Sequence, residues 1–227
     1  PLRTKLAFHV VQILDEYSIN GYLENGTLLG AFRDGKMIPH DDDFDIATFV
    51  PFCADDNKEN LLNFYANILR SKLNSMYKVR VVTSYDYKLE IYDPSHGNFP
   101  LYDTNFHNVT VDIALHTLKD ENTITQHHVD THEMKFKNLF PLKKMEYDGS
   151  MWNVPCNTEE FLKDVYGYIG NNAVYDKDTK QYKEQEIPIQ NKISLKFTEN
   201  GVGWNLEHNT SITKQDNEDK ETKTETA

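Results

Sequence analysis

The chain has 227 residues, enough for one substantial core, and carries a formal net charge of −12, with 36 acidic residues against 24 lysines and arginines. No cluster of Lys and Arg offers the counterion exchange that general nucleic-acid binding requires, so no nucleic-acid partner is expected. Two cysteines, Cys53 and Cys156, cannot build a disulfide framework, and no apolar run approaches the roughly 20 residues that cross a bilayer as a helix, so no membrane span is expected.

Leu2, Leu6, Val10, Ile13, Leu14 and Tyr17 recur at helical spacing and predict an amphipathic helix over residues 2–17, stopped by Ser18-Ile19-Asn20-Gly21. A short strand is expected at 22–24. A tight Gly26-Thr27 turn then feeds a short helix over 28–33, and Asp34-Gly35 turns the chain again. Residues 44–49 read as a strand that starts inside an acidic run. Leu61, Leu62, Phe64, Ile68, Leu69 and Leu73 support a helix across 58–73. Further strands are expected at 79–83, 87–92 and 109–115, where Val109, Val111 and Ile113 alternate with polar residues. Residues 94–100 read as a loop. Thr158, with Glu159 and Glu160 in the first turn, opens a helix ending near Tyr166-Gly167. From about residue 207 the chain has almost no apolar side chains, which predicts a disordered polar tail over 207–227 and a folded domain over 1–206. Strands and helices are interspersed, as in an α+β or α/β sheet domain.

The chemistry is concentrated in Asn25-Gly26-Thr27-Leu28-Leu29-Gly30-Ala31-Phe32-Arg33 and in Ile38-Pro39-His40-Asp41-Asp42-Asp43-Phe44-Asp45-Ile46. Four carboxylates within five positions repel one another unless positive charge neutralises them. On a strand Asp41, Asp43 and Asp45 share a face, and oxygens so arranged suit hard cations such as Mg²⁺ or Mn²⁺. The competing reading is a solvated acidic loop. A calcium loop of the EF-hand kind fails, because it needs Gly where Ile46 stands and Glu where Phe52 stands. Two neighbours favour a metal site. A Gly-Thr turn opening a helix offers backbone N–H groups and a hydroxyl to a phosphate. Asp112, inside the apolar run Val109-Thr-Val-Asp-Ile-Ala-Leu, is costly to bury unless paired or bound to metal.

These segments, with Phe140-Pro141-Leu142, Tyr147-Asp148-Gly149, Val154-Pro155 and Phe161 to Gly167 in the same order, resemble the LicD family. That family includes bacterial phosphocholine transferases and the animal fukutin and fukutin-related proteins, within the polymerase-β-type nucleotidyltransferase superfamily. Asn25 stands where the family often has Gly, and His40 where it often has Trp. The resemblance implies an α+β fold with a nucleotidyltransferase-type mixed sheet flanked by helices. It implies transfer of a phospho-alcohol or phospho-sugar group from a CDP-linked donor to a glycan hydroxyl, releasing CMP. Asp43 and Asp45 would bridge Mg²⁺ or Mn²⁺, Asp112 would complete the shell and help deprotonate the acceptor, and Asp41 would be a further ligand or support. Gly26 and Thr27 would contact the diphosphate. Arg33 would bind a phosphate or else be a surface charge. The alternatives are a nucleotidyltransferase moving the nucleotide itself and a non-catalytic regulator with the same fold.

His128 and His132 share helical spacing, with His127 beside them, yet no Glu follows His128 in an HExxH pattern and no Cys completes a zinc site, so a polar surface segment is expected. Tyr147, Trp152 and Tyr166 are expected in the core or at a rim rather than stacked on a nucleobase. Bacterial members work in the cytoplasm and animal members in the Golgi lumen behind an N-terminal anchor. The glycosylation acceptor patterns at Asn25, Asn108 and Asn209 lean towards the latter.

Overall fold

A computed structural model of the chain describes residues 2–39, 41, 43–51, 55–84, 87–96, 110–126, 133–179, 181–185, 193–198 and 201–206. His127, His128 and His132 and the expected tail over 207–227 lie outside these. The chain divides into a unit of residues 1–184 and one of residues 185–227.

The larger unit is an α+β domain, as expected. Helix α1 (Leu2–Glu16) buries Leu6, Ala7, Val10, Ile13 and Leu14, the 3- and 4-residue spacing that puts one stripe against a core. It is followed by β1 (Gly21–Leu23), α2 (Asn25–Asp34), β2 (Asp45–Val50), α3 (Asp55–Lys72), β3 (Lys78–Val82), β4 (Lys88–Tyr92) and β5 (Thr110–Leu118). Then come β6 (Thr123–Gln126), β7 (Glu133–Lys135), α4 (Phe136–Leu139), β8 (Lys143–Tyr147), β9 (Ser150–Val154), α5 (Thr158–Tyr166), β10 (Ala173–Asp176) and β11 (Gln181–Glu184). The main sheet runs β1-β2-β5-β4-β3, with β6 added to β5 and β7 to β6. Only β2 and β5 pair in parallel among these strands, making the sheet mixed. A parallel pair cannot be closed by a hairpin, and α3, β3 and β4 lie between its strands in sequence.

Strand β5 is buried along Val111–Thr117, as expected of a central strand covered on both faces. Phe44, Tyr22, Phe161, Leu14 and Ile113 are among the fully buried side chains. Trp152 packs on Phe44 at 5.0 Å between ring centroids and on Phe8 at 5.7 Å, which places Trp152 in the core with Tyr147. Each such burial contributes roughly 1.5–3 kcal/mol.

Two local expectations shift. The Gly26-Thr27 turn is the first turn of α2, which begins at Asn25 rather than 28. Glu24 is fully extended, Asn25 takes a left-handed backbone (φ 43°) that Asn tolerates better than most residues, and the chain swings from strand into helix within one residue. Strand β2 starts at Asp45, so Asp41 and Asp43 precede it and do not owe their common direction to strand alternation. The smaller unit holds an antiparallel hairpin of β12 (Ile193–Thr198) and β13 (Gly201–Leu206).

Candidate active site

Sheet register assembles the site. Asp45 on β2 is the parallel partner of Asp112 on β5; Asp112 is the antiparallel partner of Glu90 on β4; Glu90 is the partner of Arg80 on β3. The Glu24 N–H donates to the Asp45 carbonyl at 3.4 Å, extending the row by one more acid. Directly paired residues project from the same face of a sheet, so four carboxylates and one guanidinium form a line across it. Glu24, Asp45, Glu90 and Asp112 are all at most 8% exposed.

The loop before β2 adds two more acids. Asp41, Asp43 and Asp45 each offer a carboxylate oxygen, and these oxygens lie within 4.8 Å of one another. The Arg3 guanidinium donates to the Asp41 carbonyl at 2.9 Å, and the Asp41 N–H donates to the Ile38 carbonyl at 3.0 Å, fixing the loop. Gly26 lies directly against the Asp41 side chain: a Cβ there would come within 2.6 Å of Asp41 Oδ2. Thr27 is fully buried. Its hydroxyl accepts the Asp45 N–H at 2.8 Å, and its own N–H faces Asp45 Oδ2 at 3.4 Å. Thr27 therefore aims Asp45, and the sequence expectation of a diphosphate contact would have to compete with that. Arg33 pairs with Asp34 at 3.0 Å while lining the cavity described below.

Charge is unevenly compensated along the row. Lys88 donates to Asp112 Oδ2 at 2.5 Å and stands 3.5 Å from Glu90 Oε1, and Arg80 donates from Nε to Glu90 Oε2 at 2.7 Å. Burial pushes Asp45 well above the usual carboxylate range, and the neighbours that add most to the shift are Asp43, Glu24, Asp112 and Asp41, all acids. Asp112 is raised to about 8, chiefly by burial, with Lys88 opposing and Asp43 and Glu90 reinforcing. Its second oxygen, Oδ1, is buried and accepts no hydrogen bond among the described residues. The all-oxygen donor set of Asp41, Asp43 and Asp45 fits a hard divalent cation, and the orphan Oδ1 of Asp112, on the adjacent strand, is a further candidate ligand.

Of the residues singled out in the sequence, Asp41, Asp43 and Asp45 lie close together, and Asp112 is the strand partner of Asp45. Sequence reasoning did not single out Lys88, Glu90, Arg80 or Glu24. The run Lys88-Leu-Glu-Ile-Tyr92 carried a usable signal, since alternating charges between apolar residues mark a half-buried strand. A buried polar chain also went unnoticed: Tyr22 and His116 share a hydrogen bond at 2.7 Å between the hydroxyl and Nδ1, and His116 Nε2 lies 2.7 Å from Glu24 Oε2.

Beside the acids opens a cavity of about 390 Å³, floored by Gly26 and Asp41 and walled by Tyr166, Tyr168 and Tyr182. The Tyr166 phenol is pushed well above its usual range by burial and by the charges of Asp45, Glu24 and Asp41. Tyr166 thus stands at the rim of the site, while Tyr147, raised to about 12 by burial, Asp148 and Asp41, is in the core.

Comparison with known proteins places this geometry. Residues 18–157 match the family model described as LicD/FKTN/FKRP, nucleotidyltransferase domain. Among solved structures, the chain is similar to ANT(2")-Ia in complex with adenylyl-2"-tobramycin, at 13% identity and a TM-score of 0.41, covering 72% of this chain and 74% of that one. No curated protein gives a significant match.

Proposed function

Because this chain belongs to the LicD/FKTN/FKRP nucleotidyltransferase-domain family, we propose that it transfers a phospho-alcohol or phospho-sugar group from a CDP-linked donor to a glycan hydroxyl, releasing CMP, with Mg²⁺ or Mn²⁺ as cofactor. The observation that carries this reading is the convergence of Asp43 and Asp45 with Asp112, whose buried Oδ1 has no hydrogen-bond donor among the described residues. A bound divalent cation would offset the charge of the diphosphate and of the phosphoryl group under attack.

The protein's own part is to hold these oxygens rigidly. Thr27 restrains Asp45 through its N–H and hydroxyl, and Lys88 occupies one Asp112 oxygen, while the other has no hydrogen-bond donor among the described residues. Asp112 is also the candidate to help deprotonate the acceptor hydroxyl. Gly26, which has no side chain, is the candidate to admit a phosphate of the donor at the start of α2. Arg33 is the candidate for a phosphate oxygen of the donor.

The test is product analysis. The protein is incubated with Mg²⁺ or Mn²⁺ and CDP-choline, CDP-ribitol, CDP-glycerol or nucleoside triphosphates, with and without acceptor glycans, beside Asp43→Asn. CMP release that disappears in the variant supports the transferase and identifies the donor. Pyrophosphate release from a triphosphate would instead assign nucleotidyl transfer, for which the same carboxylates would serve. No turnover and no metal-dependent nucleotide binding would leave a non-catalytic member of the fold.

A further inference from the structure

The geometry points to a role for the tyrosine-walled cavity: we propose that it is the subsite for the sugar ring of the acceptor, and that Tyr168 and Tyr182 decide which glycan is accepted. The proposal rests on the transferase reading above and adds to it a place and a set of selecting residues.

Position comes first. Gly26 and Asp41 belong both to the cavity floor and to the acidic site, so a ring held there presents its hydroxyls to the carboxylates. The facing wall comes from residues 166–182, beyond the 18–157 stretch that matches the family. The acids and the wall opposite them are thus drawn from separate parts of the chain.

Shape and polarity then narrow the occupant. Tyr166 and Tyr182 meet at 64° with centroids 6.0 Å apart, and Tyr175 meets Tyr182 at 63° and 5.4 Å. A planar base sandwiched between two rings needs near-parallel faces, which these pairs do not offer. A puckered sugar packs its C–H face on one ring and its edge on another. With Asp41 and three tyrosines in its lining, the cavity offers hydrogen-bond acceptors and aromatic surface that suit the hydroxyls and C–H faces of a polyol. Asn171 supplies a further polar group for hydroxyls. Tyr182, which lines the cavity, is 38% exposed and so offers aromatic surface to a ligand.

The wall is also preorganised. Gly167 (φ 77°) leaves α5 in a left-handed turn and bridges to Tyr182, whose carbonyl accepts the Tyr168 N–H at 2.9 Å. The Tyr168 ring lies over Gly170, where a Cβ would come within 2.2 Å of the phenol oxygen, and its hydroxyl donates to Asn172 Oδ1 at 2.6 Å. A ring held this firmly loses little entropy on binding.

Ligand-observed NMR on the full chain tests this, using a panel of methyl glycosides and CDP as probes. The proteins compared are the native chain, Tyr182→Ala, Tyr182→Phe, Asn171→Ala and, as a control, Tyr17→Ala, an exposed tyrosine just after α1. At least one glycoside is expected to bind, about tenfold more weakly to Tyr182→Ala, and within about twofold of native to Tyr182→Phe and Tyr17→Ala. If Tyr182→Ala does not fold, Asn171→Ala must still weaken the glycoside. Weaker CDP binding with no glycoside response would make the cavity the donor's base site and overturn the proposal, as would identical binding by all variants. CMP release without any glycoside signal sinks the subsite alone. A Tyr182-dependent glycoside signal without CMP release sinks the transferase reading, and with it the acceptor role.

Discussion

The two ends of the acidic row solve the same problem in opposite ways. At the β3–β4 end, Glu90 is flanked by Arg80 and Lys88, so a buried carboxylate meets two cations of the fold itself. At the β1–β2 end, Asp45 is surrounded chiefly by Asp41, Asp43, Glu24 and Asp112. Both ends are buried and both lie in one register, so neither solvent nor backbone geometry accounts for the contrast. Beside Glu90 the fold carries the counter-charge, whereas acids gathered against one another cost stability that the proposed cation would restore. Asp112 stands at the join, one oxygen on Lys88 and the other directed away from it.

The largest expected effect comes from breaking the acid-rich end. Asp45→Asn and Asp112→Asn should each lower transfer by about 10³-fold or more, judged by kcat with the best donor. The same Asp45→Asn should raise the melting temperature of the metal-free protein, because it removes a buried repelling charge. A lowered melting temperature would contradict the contrast.

Glu90→Gln should do the reverse. It removes the carboxylate that Arg80 and Lys88 share and should destabilise the fold by about 1–3 kcal/mol in denaturant titration, a loss that the exposed part of Arg80 and the Lys88–Asp112 pair moderate.

Acidity sharpens the same distinction. Asp112 has a folded pKa of about 8, above its unfolded value, so its contribution to stability is full below pH about 4 and is lost as pH climbs towards 8. Asp45 is shifted in the same direction. The metal-free protein should therefore lose stability across that window, and saturating Mg²⁺ should restore most of it. A melting temperature that rises from pH 5 to 8 without metal would break the account.

The smallest effect tests the supports. Thr27→Val removes the hydroxyl that accepts the Asp45 N–H and should cost about 1 kcal/mol of stability. Gly26→Ala, which forces a Cβ towards Asp41 Oδ2, should weaken metal-dependent transfer about tenfold with little change in melting.

Much of this was written in residue types and spacing. The helical stripe of α1, the apolar run of β5 and the acidic start of α5 are local patterns, and α5 falls at Thr158–Tyr166 as expected. The acids could be picked out because a carboxylate in an apolar strand, or four in five positions, is costly enough to need a reason. Short strands such as Lys143–Tyr147 and Gln181–Glu184 escaped because their side chains are mostly polar and their strand form depends on the partner they pair with. The counter-charges escaped for a related reason. Nothing in the sequence ties Lys88 to Asp112 or Glu24 to Asp45, since those meetings are made by strand order and register. The sequence alone determined which acids are costly to bury, because that cost is intrinsic to the residue type. Only the tertiary structure decided which of them stand beside a cation of the fold and which stand beside other acids, because compensation is a matter of distance across strands far apart in the chain.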